Sequence, residues 1–267
     1  TVIFSLPPSN GYQKITNLKI DWQDYQIIEE KQWGNKVVVL RLNDVKKNFS
    51  QISFNLSSSC FTGELKPSFS IDNYQNKKFK IINDRFINGK NPQIKKFARQ
   101  IVGKEKNLQK IIKKLYSFTL DYLTYGKPIE GLYSHKQALK EKITDCGGFS
   151  TFLASLLQSI NIPSRLIIGF LIKKNIIKYL GSMFYFSRYT FHDLLIHAWL
   201  EALLPDGSWF PLDPSIEWRR NKGLTKREGG FGFVPDDRLV ISYGEDFKIK
   251  IDNKIHQIDI LQNPVYI

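Results

Sequence analysis

The sequence predicts an α+β protein in which an all-β N-terminal domain precedes a second domain of helices packed on an antiparallel β-sheet. Three observations support this fold class. Residues 1–75 alternate apolar and polar side chains in short runs, residues 91–160 carry apolar side chains at helical spacing, and alternation returns from Arg165. We therefore predict a β-sandwich-like domain over residues 1–80 and a second domain over residues 81–267, which the last strands close.

The first domain contains three short runs that are typical of strands. Ile52, Phe54 and Leu56, for example, alternate with polar residues and would share one face of a strand. Clusters of Gly, Asn, Asp and Ser separate the runs, which is the pattern of a sandwich or of a barrel edge. The runs are Leu18–Trp22, Lys36–Leu42 and Ser50–Leu56.

The helices of the second domain have recognisable start and stop signals. Asn91 is a capping residue before Pro92, a proline at a first helical position, and Gly103 is placed to end that helix. Further helices are predicted over Lys106–Tyr125, over Lys136–Lys140 and from Cys146 to the stop at Asn161-Ile162-Pro163.

Strand patterns return after these helices, and a turn at Pro205-Asp206-Gly207-Ser208 joins two of the strands. The segment Lys173–Asp193 is rich in aromatic residues without a clear period, so it is either a covering loop or an extra hairpin. The predicted strands are Leu166–Leu171, Leu195–Leu204, Trp209–Asp213, Val240–Tyr243, Lys248–Asp252 and His256–Leu261.

The composition is that of a globular protein. Of the 267 residues, 42% are hydrophobic and 24% are charged, which excludes disorder, collagen and coiled coil. The longest apolar run, Leu166–Ile172, has seven residues, whereas about 18–20 are needed to span a bilayer. We expect a protein that is not integral to a membrane. Because the chain starts at Thr1, an export signal could have been removed, and the compartment stays open with the cytoplasm favoured.

The positive charge is concentrated in one part of the chain. The net charge is +14, and Lys77–Lys114 holds thirteen Lys and Arg against Asp84 and Glu105. Such a basic face favours an anionic partner or surface, but many of these lysines lie between helix-spaced apolar residues, so a solvated helix face is the simpler explanation. We expect weak anionic surface binding and no specific nucleic acid, because aromatic residues do not alternate with the basic ones.

Cys146 is the better candidate for a reactive thiol of the two cysteines, which are too few for a disulfide framework or a cysteine-rich zinc site. It lies at a predicted helix N-terminus, and the helix dipole and a nearby imidazole would lower the pKa of its thiol. Gly147 and Gly148 would keep this turn open to a substrate carbonyl. The alternative is a small structural cysteine, which is our expectation for Cys60.

A base for this thiol must come from another part of the chain. Of the four histidines, His197 lies in an alternating run with Trp199 and Glu201 on its own face. Asp213 ends the partner strand, where a carboxylate could hold the second ring nitrogen of His197. Cys146, His197 and Asp213 would then form a triad, although a histidine on a strand is often structural. The other candidates are His135, His192 and His256.

The triad requires a particular hairpin between His197 and Asp213. A two-residue turn at Asp206 and Gly207 would place the two side chains on opposite faces. A loop with an odd number of residues, or one bulge, would make them diagonal neighbours on one face, about 7–8 Å apart by backbone. We predict such a hairpin, with the Asp213 carboxylate bonded to the His197 ring and the Cys146 sulfur on the ring's other side.

These residues stand in motifs that resemble the core of the transglutaminase-like superfamily. The motifs are Asp145-Cys146-Gly147-Gly148-Phe149, Asn161-Ile162-Pro163-Ser164-Arg165 with Gly169, His197-Ala198-Trp199, Gly207-Ser208-Trp209 and Leu212-Asp213-Pro214. More loosely, the flanks are similar to bacterial members of this family at Tyr12-Gln13, Trp33-Gly34-Asn35, Asp236–Val240 and Gly244–Phe247.

The resemblance implies a papain-like core in which Cys146 is the nucleophile, His197 the general base and acid, and Asp213 the orienting carboxylate. It implies no cofactor, and the sequence indicates no metal site. Thr144 departs from the family pattern, which has Gly before the Asp-Cys pair. The resemblance also calls for an upstream oxyanion donor, for which Tyr125 and Tyr133 are candidates.

Three functions follow for testing. The first is a hydrolase that cleaves amide or peptide bonds of a peptide or protein substrate through an acyl-enzyme on Cys146. The second is a transglutaminase, in which a primary amine takes the acyl group in place of water. The third, from another class, is a binding module that uses the basic face of Lys77–Lys114 for anionic partners.

Overall fold

The computed structural model describes residues 1–42, 51–75, 77, 79–172 and 194–267. The predicted α+β class is confirmed, and the segment Lys173–Asp193, predicted as a loop or a hairpin, lies outside the described residues. The helices are α1 (Pro92–Val102), α2 (Leu108–Tyr122), α3 (His135–Glu141), α4 (Cys146–Ser159) and α5 (Pro214–Asn221), with a 3-10 helix at Ile71–Tyr74. Within the described ranges, no helix is both long enough and apolar enough to cross a membrane.

The strands fall into one N-terminal group, one central group and one C-terminal group. The N-terminal strands are β1 (Val2–Ser5), β2 (Gln13–Asp21), β3 (Tyr25–Glu29), β4 (Lys36–Leu40), β5 (Gln51–Ser58) and β6 (Phe61–Thr62). The central strands are β7 (Thr124–Tyr125), β8 (Ile143–Thr144), β9 (Ser164–Ile172), β10 (Leu194–Leu203) and β11 (Trp209–Leu212). The C-terminal strands are β12 (Phe233–Val234), β13 (Arg238–Tyr243), β14 (Phe247–Ile251), β15 (Lys254–Ile258) and β16 (Val265–Tyr266).

The chain divides into two compact units, and each unit collects distant segments. The first consists of residues 1–61, 167–197 and 235–267, and the second of residues 62–166 and 198–234. The N-terminal and C-terminal strands therefore belong to one unit. The domain boundary that we placed at residue 80 stays a prediction.

The first unit is built on a four-stranded sheet in the order β16-β1-β4-β3. Strand β4 reads Lys-Val-Val-Val-Leu, and its apolar residues are buried on both faces. Val37 and Val39 pack in a cluster with Phe247 and Ile249, whereas Val38 and Leu40 pack in a second cluster on the other face. A continuous apolar run is expected for a strand that is covered on both sides.

Two amide side chains of the first unit bind strand β13. The buried Gln13 accepts a hydrogen bond from the Val240 N–H at 2.7 Å and donates one to the Val240 carbonyl at 3.0 Å. Asn35 makes the same pair of bonds to Tyr243, each 2.8 Å long. Each side-chain amide therefore makes the pair of hydrogen bonds that a neighbouring strand would make to β13. This gives Gln13 and Asn35, in the two N-terminal motifs, a structural role.

The second unit is built around helix α4, against which α1, α2, α3 and α5 pack. Residues 147–158 of α4 are all buried. A helix that is covered on every side must be apolar all round, which α4 is except for hydroxyl and amide groups that bond to neighbouring backbone. The nucleophile that we predicted therefore stands at the start of the central helix of this unit.

The helix predictions are confirmed with small shifts, and one helix is new. Asn91 caps α1 by accepting hydrogen bonds from two N–H groups, and Pro92 and Gly103 stand at the predicted positions. Helix α5 was not predicted, although Asp213 and Pro214 repeat the same signal of a capping residue before a proline. We had assigned Asp213 only to the end of a strand.

Candidate active site

Cys146 is the first residue of α4, and Asp145 fixes this helix start. The buried Asp145 is the capping residue, and its Oδ1 accepts a hydrogen bond from the Gly148 N–H at 3.2 Å. Its other oxygen accepts from the Ile129 N–H at 3.4 Å, which ties the loop before α3 to the same carboxylate. The thiol is therefore held at the positive end of the helix dipole.

The two glycines after Cys146 make room for other side chains of the protein. A Cβ on Gly148 would lie 1.8 Å from the Thr144 Oγ1, and a Cβ on Gly147 would lie 2.8 Å from a methyl carbon of Leu132. Thr144, the residue that departs from the family pattern, thus fills the space that Gly148 leaves. The glycines are required for packing, a reason that differs from the open turn we expected.

The backbone of strand β10 at Ala198 lies near Cys146. The Ala198 backbone N–H acts to lower the pKa of the Cys146 thiol. The Ser150 hydroxyl, one turn along α4, lies 2.8 Å from the Cys146 carbonyl and 3.3 Å from the Ala198 carbonyl, so it links the start of α4 to β10. His197 directly precedes Ala198 in β10 and is buried.

The thiol of Cys146 is held in its neutral form. Although Cys146 is partly exposed, desolvation of its sulfur raises its pKa to about 12, and the negative charges of Asp145 and Asp213 act in the same direction. The Ala198 and Gly147 N–H groups act in the opposite direction and are outweighed. Our expectation of a lowered pKa is therefore wrong for the resting protein, because two carboxylates and burial outweigh the helix dipole.

The hairpin between His197 and Asp213 has the odd loop that we predicted. Strands β10 and β11 pair Leu200 with Leu212 and Leu203 with Trp209. The Leu204 N–H then bonds the Ser208 carbonyl at 2.8 Å, which leaves three residues in the loop. The last of them, Gly207, has a φ of +89°, a conformation that favours glycine.

This register decides which face of the hairpin Asp213 occupies. Continued by one residue, it brings Asp213 level with Trp199 and makes His197 its diagonal neighbour on the same face. Asp213 is buried and caps α5, with its Oδ1 accepting from the Ser215 hydroxyl and the Ile216 N–H, each at 3.2 Å. The contact between its carboxylate and the His197 ring stays a prediction.

A tyrosine of helix α2 and a glutamate of helix α5 form hydrogen bonds around the backbone of Asp213. The Tyr116 hydroxyl lies 2.7 Å from the Glu217 Oε2 and 3.1 Å from the Asp213 carbonyl oxygen. The same Glu217 oxygen accepts from the Phe231 N–H at 3.0 Å. Burial and the Glu217 charge raise the pKa of Tyr116, so its hydroxyl remains a donor.

Arg165 and Glu201 form a buried ion pair on the same face of the hairpin. The guanidinium donates to the Glu201 Oε2 from Nε at 3.0 Å and from Nη2 at 2.8 Å. Its flat face lies 4.0 Å from the centre of the Trp209 ring. Arg165 therefore pairs with a carboxylate, and Glu201 is a buried partner of that pair.

The remaining histidines and the second cysteine are placed elsewhere. His135 is fully buried, with its Nδ1 2.8 Å from the Phe86 carbonyl oxygen and its Nε2 3.4 Å from the Asn91 amide, and burial lowers its pKa. It is therefore a neutral structural histidine. His256 lies on β15, Cys60 is exposed, and His192 lies outside the described residues.

The two tyrosines that we considered as oxyanion donors differ. The Tyr133 hydroxyl donates to the Lys127 carbonyl at 2.9 Å and is thereby occupied. Tyr125 is half-buried, and no hydrogen bond joins its hydroxyl to any residue that the structure describes. Burial, and after it the electrostatic effect of Cys146, Asp145 and Asp213, raises the pKa of Tyr125, so its hydroxyl stays protonated.

A comparison with protein-family models matches the middle of the chain. Residues 95–214 match the model of the transglutaminase-like superfamily. The chain carries a transglutaminase-like domain. The match contains Cys146, His197 and Asp213, and it ends one residue after Asp213.

The transglutaminase-like domain also has similar solved structures. A candidate cysteine protease from Cytophaga hutchinsonii is 15% identical with a TM-score of 0.53, over 91% of this chain and 75% of that chain. The periplasmic domain of TgpA from Pseudomonas aeruginosa is 16% identical with a TM-score of 0.39, over 82% of this chain and 70% of that chain. The first likeness supports the fold alone. Among curated proteins, no sequence matches the chain.

Sequence reasoning missed two residues of α5 that pack near the start of α4, where Cys146 lies. Arg219, on α5, lies with its guanidinium carbon 4.8 Å from the centre of the Tyr125 ring. Trp218, its neighbour, has its ring 6.3 Å from that of Phe149 in the first turn of α4. The helix signal at Asp213 and Pro214 could have indicated that these residues lie on a helix that starts at the site.

The basic face is exposed on α1 and α2, as its helix spacing predicts. An open groove of about 470 Å³ along α1 is lined by four cations together with Pro92 and Gln100. The cations are Lys90, Lys95, Lys96 and Arg99. Binding of anions by this face stays a prediction.

Proposed function

We propose that the protein is a cysteine hydrolase that cleaves amide or peptide bonds, with Cys146, His197 and Asp213 as its triad. The observation that carries this proposal is the Ser150 hydroxyl, which lies 2.8 Å from the Cys146 carbonyl and 3.3 Å from the Ala198 carbonyl. It joins the helix start that bears the thiol to the residue that follows His197 in the chain. The hairpin register supports the third member, because it gives Asp213 and His197 the same face.

The proposed reaction starts from a neutral thiol. Since the pKa of Cys146 is about 12, a free thiolate is scarce near neutral pH. His197 therefore takes the thiol proton as the sulfur attacks the carbonyl carbon, and the imidazolium gives that proton to the departing amine. Asp213 stabilises the imidazolium charge that forms between these steps. Water, activated by His197, then hydrolyses the thioester and restores the thiol.

The start of α4 offers a donor for the oxyanion of this reaction. The Gly147 and Gly148 N–H groups point to the Asp145 carboxylate. The N–H of Cys146 itself is the backbone donor that we propose, at the positive end of the helix. The protonated Tyr125 hydroxyl is the side-chain donor that fits the upstream role.

Hydrolysis is the first outcome to test, because the Cytophaga protein of the same fold is a candidate cysteine protease. Purified protein should be incubated with a fluorogenic peptide library, with and without a primary amine as acyl acceptor. Release of amine and free acid identifies a hydrolase. An amide product that forms only with the added amine identifies a transglutaminase and contradicts hydrolysis.

Replacing the nucleophile should remove this activity. Cys146→Ala should lower kcat by at least about 10³-fold, since the acyl-enzyme cannot form. Adding His197→Ala to Cys146→Ala should cost no more, because residues that act as one unit are not additive. Cys60→Ala is the matched control and should retain full activity. Turnover that survives in Cys146→Ala would exclude the mechanism.

The pH dependence of thiol alkylation tests the role of His197. In His197→Ala, the rate of Cys146 alkylation by iodoacetamide should rise about tenfold per pH unit between about pH 7 and pH 10, because the thiolate fraction grows this way below a pKa of about 12. The wild type should react faster near pH 7 with a flatter profile, since His197 accepts the proton. Identical profiles of the two proteins would show that His197 is not the base.

A further inference from the structure

Arg219 carries a positive charge close to the proposed nucleophile. It is half-buried in the last turn of α5, and its guanidinium carbon lies over the Tyr125 ring, 4.8 Å from the ring centre. Among the residues that the structure describes, no carboxylate pairs with Arg219 and no acceptor bonds its N–H groups. The stack is the contact that holds this side chain in place.

Tyr125 is fixed beside Cys146 by the backbone. Strand β7 pairs in parallel with β8, which sets Tyr125 opposite Thr144, two residues before the nucleophile. The Gly126 N–H bonds the Thr144 carbonyl at 2.8 Å, and the Tyr125 ring centre lies 6.2 Å from that of Phe149. A guanidinium that lies on this ring is therefore next to the start of α4.

Stacking leaves the binding edge of an arginine available. The aromatic ring contacts the flat face of the guanidinium, whereas its five N–H groups point outward in the plane. This edge matches a carboxylate, which can accept two parallel hydrogen bonds. The ring also restricts the side chain, so less conformational entropy is lost when an anion binds.

The acidic groups near Arg219 are engaged elsewhere. Asp145 accepts hydrogen bonds from the Gly148 and Ile129 N–H groups. Asp213 accepts from Ser215 and Ile216, and Glu217 lies in contact with Tyr116 and the Phe231 N–H. Within the described ranges, the positive charge of Arg219 thus has no acidic partner and is available to a bound anion.

We propose that Arg219, held on the Tyr125 ring, is a subsite that binds a substrate carboxylate beside Cys146, so that the enzyme selects peptides with an acidic group near the cleaved bond. This inference rests on the proposed function, because it assigns the substrate class of the same nucleophile. The carboxylate belongs either to an Asp or Glu side chain or to a free peptide C-terminus. Both sources present the same two oxygens to the guanidinium edge.

The test compares peptide pools that differ in one carboxylate. N-acetylated, C-amidated pools contain either Glu or Gln at each fixed position, and a third pool of Gln peptides ends in a free acid. The wild type should cleave one acidic pool with a kcat/KM about tenfold above that of its amide counterpart, the factor that 1.4 kcal/mol gives. Preference for the Glu pool identifies a side-chain carboxylate, and preference for the free acid identifies a peptide C-terminus.

Variants at two cationic positions decide whether Arg219 is responsible. Arg219→Gln should reduce the preference to about onefold, and Arg219→Lys should keep only part of it, because lysine lacks the planar fork. Lys222→Gln is the matched control, since it removes the same charge from the same helix end, and it should keep the full preference. A preference that Arg219→Gln leaves unchanged, or that Lys222→Gln also abolishes, would overturn the inference.

A binding measurement separates this inference from the proposed function. Fluorescently labelled members of the pools are titrated into Cys146→Ala and into Cys146→Ala/Arg219→Gln, and anisotropy is recorded. Acidic peptides should bind Cys146→Ala about tenfold more tightly than their amide counterparts, and the double variant should lose the difference. If this holds while the wild type cleaves no peptide, the subsite stands and the hydrolase proposal fails. Equal binding of acidic and amide peptides by Cys146→Ala would exclude the subsite.

Discussion

Arg165 and Arg219 are both stacked on aromatic rings, yet their N–H edges have different surroundings. Arg165 lies 4.0 Å from the Trp209 ring centre and directs two N–H groups to Glu201. Arg219 lies 4.8 Å from the Tyr125 ring centre and has no such acceptor in the described ranges. The face of the guanidinium is used alike in both places. The edge therefore distinguishes an arginine that stabilises the fold from one that is available to a ligand.

The location of each stack explains this difference. Glu201 lies on β10, and its side chain is only 5% exposed, so it requires a cation beside it. Arg219 lies in the last turn of α5, where the helix dipole favours a cation without any carboxylate. The first arginine completes a largely buried pair, and the second is tolerated at the C-terminal end of a helix.

Removing the carboxylate of the first stack should have the largest effect on stability. Glu201→Ala should lower the free energy of unfolding by about 3 kcal/mol, because it leaves the Arg165 charge buried without its partner. Urea denaturation measures this loss. The double variant Arg165→Leu/Glu201→Leu should recover part of it, since both charges are then absent. A loss for Glu201→Ala below about 1 kcal/mol would mean that the pair is effectively solvated.

Lysine substitutions at the two arginines should lower the free energy of unfolding by different amounts, and this difference is smaller than the effect of Glu201→Ala. Arg165→Lys should cost about 1–2 kcal/mol of unfolding free energy, because lysine cannot make the two bonds from one planar group. Arg219→Lys should change stability by less than about 0.5 kcal/mol, as expected for a half-exposed side chain that makes no hydrogen bond or ion pair to the described residues. Thermal or urea unfolding of the two variants under the same conditions gives the comparison. Equal losses would remove the distinction between the stacks.

Added salt should weaken the peptide preference that depends on Arg219, and it should leave the stability contribution of the Arg165–Glu201 pair nearly unchanged. Raising NaCl from about 0.05 M to about 0.5 M should reduce the Arg219-dependent preference for acidic peptides by about twofold to threefold, because partly exposed charges are screened. The stability difference between wild type and Glu201→Ala should change little over the same range, since that pair is buried. A preference that is insensitive to salt would place the bound carboxylate in a closed pocket.

Local signals explain which parts of the fold were predictable. Asn91, Pro92 and Gly103 mark the ends of α1 through groups within a few residues of one another, and the helix ends as they predict. The loop length of the β10–β11 hairpin was predictable because the triad requires His197 and Asp213 on one face. Helix α5 carried a readable signal at Asp213 and Pro214 that was missed, because Asp213 was assigned to the end of a strand.

The sequence by itself determined the α+β class, the helix that starts at Cys146 and the family to which the motif order points, because these depend on residue spacing and on local backbone preferences. Only the tertiary structure decided the environment of the thiol. Its raised pKa depends on burial and on charges from Asp145 and Asp213, which are far apart in the chain. The pairing of Arg165 with Glu201 and the stack of Arg219 on Tyr125 likewise join distant residues. Spacing along one chain does not encode such distances, since they are set by how the elements pack.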